Sequence, residues 1–169
     1  DKRAVWLRKL LDRNDDYATH WLTFWNDALR NDYTGTGYIT KGRFAITDWL
    51  YTSIRDNKPY DQFAKELLNP SEKSKGFIEG IRWRGTVNAS QRTEMQAAQN
   101  VGQVLLGLNL KCASCHDSFI SDWKLEQAYA FANIFADSTL EVSRCEQPTG
   151  KMAQTNILWE ELGEIDSLA

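Results

Sequence analysis

The stretch Leu110–Ser118, LKCASCHDS, holds two of the chain's three cysteines and one of its two histidines. Cys112 and Cys115 stand three positions apart, and His116 follows the second directly. Four chemistries use such a set. A redox dithiol uses C-x-x-C, but usually at the start of a helix that follows a strand; here a helical pattern precedes the motif. A structural zinc site wants four ligands, and beyond the motif the chain adds only Cys145 and His20 as isolated extras. A disulfide between Cys112 and Cys115 needs only an oxidising compartment. A covalently attached haem uses all three residues: the thiols reach its two vinyl groups and the histidine lies under the iron as proximal ligand. That reading accounts for the whole of C-x-x-C-H and is preferred, with zinc, dithiol and disulfide as its rivals.

Outward from the motif the chain reads as helices. Before it, Thr93 and Gln96 suggest a capping box that opens a long helix through Leu106, closed by Gly107. Met95, Ala98, Gly102 and Leu105 share one face there, small enough for something to approach closely. After the motif, Asp122 can cap a helix on which Leu125, Ala128, Tyr129, Ala132 and Phe135 recur at helical spacing. Asp117 reads as a loop or cap residue rather than a catalyst.

Toward the N-terminus, Val5, Leu7, Leu10 and Leu11 make one short apolar face, and Asn14–Asp16 offer caps for the next helix. That helix places Tyr17, His20, Trp21, Phe24, Trp25 and Ala28 on one broad stripe expected to face inward. Residues 32–38, DYTGTGY, read as a loop. Thr40 can cap a third helix with Phe44, Trp49, Leu50 and Ile54. Pro59 suits the first turn of a fourth, with Tyr60, Phe63, Ala64 and Leu67 inward. Residues 76–90 read as an ordered loop, residues 139–151 as extended and looped, and the end from Trp159 as frayed. The expected fold is mainly α: a compact helical domain of about six helices around a covalently attached haem, with a loop-rich C-terminal segment, in a single domain over residues 1–169.

The 169 residues are 42% hydrophobic and 12% aromatic, enough for a real core, and seven tryptophans suit a packed aromatic interior or a wall around a flat ligand. The formal net charge of −3 argues against nucleic acid as a partner. No run of 18 apolar residues exists, so no membrane span is expected. The chain begins at Asp1, without Met, in what reads as a helix, so it is expected to be a mature or excised piece of something longer.

A six-coordinate haem needs a second axial ligand, and the inventory is His20, Met95 and Met152, or none. His20 is preferred, because an inward imidazole among aromatics is what a bis-histidine site contains. Met95 reads as a packing residue and Met152 as part of a loop. Arg82 and Arg84 are weighed as clamps for haem propionates against a plain solvated loop, and the loop reading is favoured. Cys145 reads as a buried or loop thiol.

The segments HWLTFWNDALRNDYTGTGY, DNKPYDQFAKELL, NASQRTEMQAAQNVGQVLLGLNLKCASCHDSF and DWKLEQAYAFANIFAD resemble, in this order, the planctomycete-type cytochrome domain. This family is described as a domain of unknown function and occurs in large exported proteins of planctomycetes, verrucomicrobia and relatives. The resemblance runs from about Lys9 to Lys151. It implies a periplasmic or cell-surface location and a neighbouring cytochrome module or other redox partner. It also implies an indirect link to polysaccharide metabolism. His20 matches the family's recurrent His-Trp pair, which implies a haem role for it. Many members read Cys-His-Asp-His, whereas Ser118 holds the second histidine's place here.

The expected function is therefore electron transfer by one covalent haem c, held by Cys112, Cys115 and His116 with His20 as sixth ligand. No acid–base pair or nucleophile constellation emerges, so the electron-transfer reading is preferred to an enzyme. One rival is a five-coordinate haem enzyme acting on peroxide or dioxygen. The other is a non-redox interaction module with a disulfide or zinc at the motif.

Overall fold

The computed structural model describes residues 1–29, 46–79, 88–159 and 161. Among them lie seven helices and one two-stranded antiparallel sheet, so the chain is mainly helical as expected. The helices are α1 (Lys2–Leu11), α2 (Asn14–Ala28), α3 (Thr47–Arg55), α4 (Tyr60–Leu68), α5 (Gly76–Glu79), α6 (Thr93–Leu105) and α7 (Leu125–Ala132). The strands are β1 (Glu141–Arg144) and β2 (Gln147–Met152). The chain forms two compact units, Asp1–Thr34 with Lys41–Phe77, and Gly35–Thr40 with Ile78–Ala169. The expected loop at 32–38, the Thr40 cap, Phe44, Arg82 and Arg84 lie outside the described residues.

In the first unit the predicted phase of α2 is rotated. Its inward line is Ala18, Leu22, Trp25 and Leu29, at i, i+4, i+7 and i+11, with Ala18 and Leu29 fully enclosed. That line meets α3, and the Trp25 ring lies 5.1 Å from that of Phe63 on α4. Small Ala18 lets α3 come close, which turns Tyr17, His20, Trp21 and Phe24 outward. Along the exposed face His20 and Trp21 meet edge to face at 5.4 Å between centroids, and Trp21 and Phe24 do so at 5.5 Å. α1 begins where the Asp1 side chain accepts the Arg3 N–H at 3.0 Å, and none of its residues is buried.

α3 follows its predicted face, with Trp49, Leu50 and Ile54 buried. On α4 Phe63 and Leu67 are buried as expected, whereas Tyr60, expected inward, is exposed at the helix start with its ring stacked on Phe63 at 6.3 Å. Glu66 of α4 ties them together. One carboxylate oxygen accepts the Trp49 indole N–H at 2.6 Å and the Lys58 ammonium at 2.5 Å. The ammonium also sits 5.0 Å over the Trp49 ring. Ser74, in the polar connector after α4, is fully buried and donates to the Glu66 carbonyl at 2.8 Å. The stretch from Gly76, read as loop, begins with the one-turn α5.

In the second unit α6 is buried at every position from Met95 to Gly102. The predicted Thr93–Gln96 capping box does not form. Arg92 is the N-cap, and the Gln96 amide donates to the Gln91 carbonyl at 2.6 Å. Asp122 does not cap α7 either; Lys124 is the N-cap, and its N–H is taken by Gln127 Oε1 at 2.9 Å. The segment read as extended and looped is a β-hairpin with a two-residue tip, Cys145-Glu146, and two extra residues on β2 between its Pro148 and Met152 pairings. The buried Tyr129 hydroxyl of α7 donates to the Ser143 carbonyl of β1 at 3.2 Å. Buried Asn133 accepts the Leu140 N–H at 2.8 Å and donates to Thr155 Oγ1 at 2.6 Å, pinning the chain on both sides of the hairpin.

The Lys58 bond, then the Trp49 bond, holds the Glu66 carboxyl below its ordinary pKa. The folded chain therefore binds that proton less readily than the unfolded chain. Its stabilisation is present above the unfolded pKa of about 4.3 and is lost as pH falls through the folded value. Glu66→Gln, which drops the charge, should be less stable than the wild type near neutral pH by at most about 1 kcal/mol, the site being partly exposed. The gap should close on acidification. Urea melts of both proteins across the acid range check this, and a gap independent of pH would refute it.

Candidate functional site

The motif loop starts where α6 ends. The Leu106 and Leu108 N–H groups both donate to the Gly102 carbonyl, at 3.2 and 2.8 Å. Between them Gly107 takes φ +67°, a left-handed conformation that L side chains disfavour. The chain then doubles back, and Leu110, almost fully buried, lands on Gly102. A Cβ at Gly102 would lie 3.2 Å from Leu110 Cδ1, so the close approach anticipated from the small face of α6 is made by the motif's own leading residue.

From Leu110 the backbone makes one tight coil. Ser114 N–H donates to the Leu110 carbonyl at 3.0 Å, and the Cys115 and His116 N–H groups donate to the Cys112 carbonyl at 3.1 and 3.2 Å. This coil sorts its side chains. Ala113 and Ser114 are fully enclosed, while Cys112, Cys115 and His116 are half-buried. The Ser114 hydroxyl donates to the Lys111 carbonyl at 2.7 Å and accepts from Gln99 Nε2 of α6 at 3.0 Å. The same amide donates to the Ser90 carbonyl at 3.2 Å. Gln99 carries no signal in the sequence; only the fold brings it under the motif.

His116 Nδ1 lies 2.7 Å from the Asp117 carbonyl oxygen. A carbonyl can only accept, so Nδ1 carries the proton, and in the neutral ring Nε2 then holds the lone pair that a metal would use. The ring is flanked by Phe119 at 4.6 Å between centroids. Phe119 and Ile120 are 87% and 77% exposed, an apolar edge left open beside the histidine. Asp117 Oδ1 accepts the Leu125 N–H at 3.0 Å, so the cap sought at Asp122 comes from within the motif. Ser118 makes a local turn: its N–H donates to the Trp123 carbonyl at 3.0 Å and its hydroxyl oxygen accepts from Ser121 at 2.8 Å.

The hairpin tip adds the third cysteine. Cys145 N–H donates to the Cys115 carbonyl at 3.0 Å, and the Cys145 carbonyl accepts the Ala89 N–H at 3.3 Å. Of the reading of Cys145 as a buried or loop thiol, the loop holds and the burial does not, since it is exposed at the hairpin tip. Its place beside Cys115 was not read, because 29 residues separate the two. All three thiols are free. Among the described residues no group of three or more His, Cys, Asp or Glu side chains is arranged to hold a metal ion. Beside the motif, a groove of about 420 Å³ is lined by Asp117, Lys124, Arg144 and Lys151.

The structure thus brings together Cys112, Cys115 and His116. His20 belongs to the first unit, where it lies exposed on α2 rather than inward, because the buried line of that helix runs through Ala18 and Trp25. Met95 packs in the core as expected, and Met152 is exposed on β2. Replacing Gln99 by Leu leaves the Ser114 hydroxyl and the Ser90 carbonyl short of a donor. It should destabilise the chain by about 1–3 kcal/mol. A denaturant titration measures this, and a loss under about 0.5 kcal/mol would mean that the amide does not hold the motif.

No curated protein and no solved structure matches the chain. The family model PSCyt2, described as "Protein of unknown function (DUF1549)", matches residues 1–139. That span contains His20 and all of Leu110–Ser118, and it stops short of the hairpin that carries Cys145. The chain belongs to this family.

Proposed function

We propose that the chain is a c-type cytochrome domain of the planctomycete type, which holds one haem covalently and passes single electrons. The observation that carries the reading is the state of His116: Nδ1–H engaged on the Asp117 carbonyl and Nε2 open, one residue after a free thiol and four after another. A proximal haem ligand needs this tautomer, with the ring fixed through its far nitrogen. The exposed Phe119 and Ile120 give a flat apolar group something to cover.

Cys112 and Cys115 would form the thioethers and His116 would ligate the iron. When bound, the haem supplies a one-electron couple at its iron. The protein's part is to hold the imidazole still, keep the thiols at their spacing and shield one face with apolar side chains. His20 is the proposed sixth ligand: its imidazole is exposed on α2, beside the Trp21 ring. The resemblance to the cytochrome family supports an exported, periplasmic or cell-surface setting, a redox partner or neighbouring cytochrome module, and an indirect polysaccharide link. No helix among the described residues is long and apolar enough to cross a membrane.

Co-expression with cytochrome c maturation machinery should yield a band that stains for haem after denaturation. Its reduced spectrum should show sharp low-spin peaks. Cys112→Ala with Cys115→Ala should abolish the stain. A colourless wild-type chain would overturn the proposal.

The sixth ligand is tested separately. His20→Ala should keep the covalent stain, convert the spectrum to high spin and open the iron to added cyanide or carbon monoxide. An unchanged low-spin spectrum would remove His20 from the site. A wild type that is already high spin and binds these ligands would favour the five-coordinate enzyme.

A further inference from the structure

Cys145 occupies the first position of the hairpin tip at φ +56°, a conformation in which glycine is at ease and a cysteine is strained. The tip is pinned on both sides, by its N–H on the Cys115 carbonyl and by its carbonyl on the Ala89 N–H. Its sulfur lies 3.8 Å from the Cys115 carbonyl oxygen. The backbone bond and this sulfur contact set Cys145 directly beside Cys115, as the two partners of a disulfide must be. Cys145 is exposed and Cys115 half-buried, and both thiols are free.

We propose that Cys115 and Cys145 are the two halves of a disulfide that forms on exposure to an external disulfide. The exposed Cys145 thiolate attacks that disulfide, forms a mixed disulfide and releases one thiol. The Cys115 thiolate then attacks the Cys145 sulfur and releases the second. The two protons given up by the cysteines end on the two departing thiols, and the external disulfide is the species reduced. The bond would tie the hairpin tip to the motif and leave Cys112 as the remaining free thiol.

One consequence rests on the cytochrome reading: a Cys115 held in this disulfide has no thiol to add to a vinyl group, so reduction must precede haem attachment. Cys145 lies beyond the residues matched by the family model.

The test uses the full chain made without haem-attachment machinery, reduced and then equilibrated with mixtures of oxidised and reduced glutathione. Free thiols are blocked by alkylation, and the digested chain is mapped by mass spectrometry. The expected product is a cross-linked peptide joining Cys115 to Cys145, with Cys112 alkylated. The intact mass should be lower by two hydrogens before alkylation. A Cys112–Cys115 cross-link with Cys145 alkylated would overturn the proposal, as would alkylation of all three under fully oxidised glutathione. Haem staining of the reduced chain after attachment reports on the cytochrome reading alone, so the two proposals fail by different measurements.

Discussion

Asp117 uses its two kinds of oxygen on two different structures, and the site depends on both. Its backbone carbonyl holds His116 Nδ1, while its carboxylate accepts the first N–H of α7. The imidazole is thereby tied to the start of a helix that is packed through Ala128, Tyr129 and Ala132 into the second unit. On the other side of the coil, Gln99 and Gly102 of α6 hold Ser114 and Leu110. A loop of irregular backbone needs such anchors, since a buried hydroxyl without a partner costs far more than the bond returns. Fixing Ala113 and Ser114 inward is what turns Cys112 and Cys115 outward.

The helices were legible because their apolar spacing is local and repeats. The phase of α2 was not. Counting large rings favours the stripe through Tyr17, Trp21 and Phe24, whereas burial went to Ala18, Leu22, Trp25 and Leu29. The deciding residue is the smallest, because closeness to α3 depends on how little Ala18 projects. The caps failed for a related reason: Thr93 and Asp122 have the right chemistry beside a helix start, yet the bonds at these helix starts involve Gln91 and Asp117. The hairpin was obscured by Pro148 and Gly150, residues that normally argue against a strand. They are accommodated beside a tip and an irregular register. Within the site, the motif was plain from spacing alone. Gln99 and Cys145 were invisible, since nothing local announces a partner 15 or 30 positions away.

The tautomer of His116 bears on which haem chemistry this site favours. A proximal imidazole whose Nδ1–H meets a carboxylate becomes more basic and donates more charge to its metal. Strong donation from the proximal side is what helps break an oxygen–oxygen bond. Here the only carboxylate next in sequence is turned away, engaged on the Leu125 N–H, and a neutral carbonyl takes its place on the ring. An iron bound at Nε2 would receive the weaker push of a neutral, carbonyl-bonded imidazole. That arrangement suits a couple that changes charge by one electron better than one that must cleave peroxide. In the proposed cytochrome, a backbone carbonyl rather than a carboxylate on the ring thus supports electron transfer over the enzymatic rival.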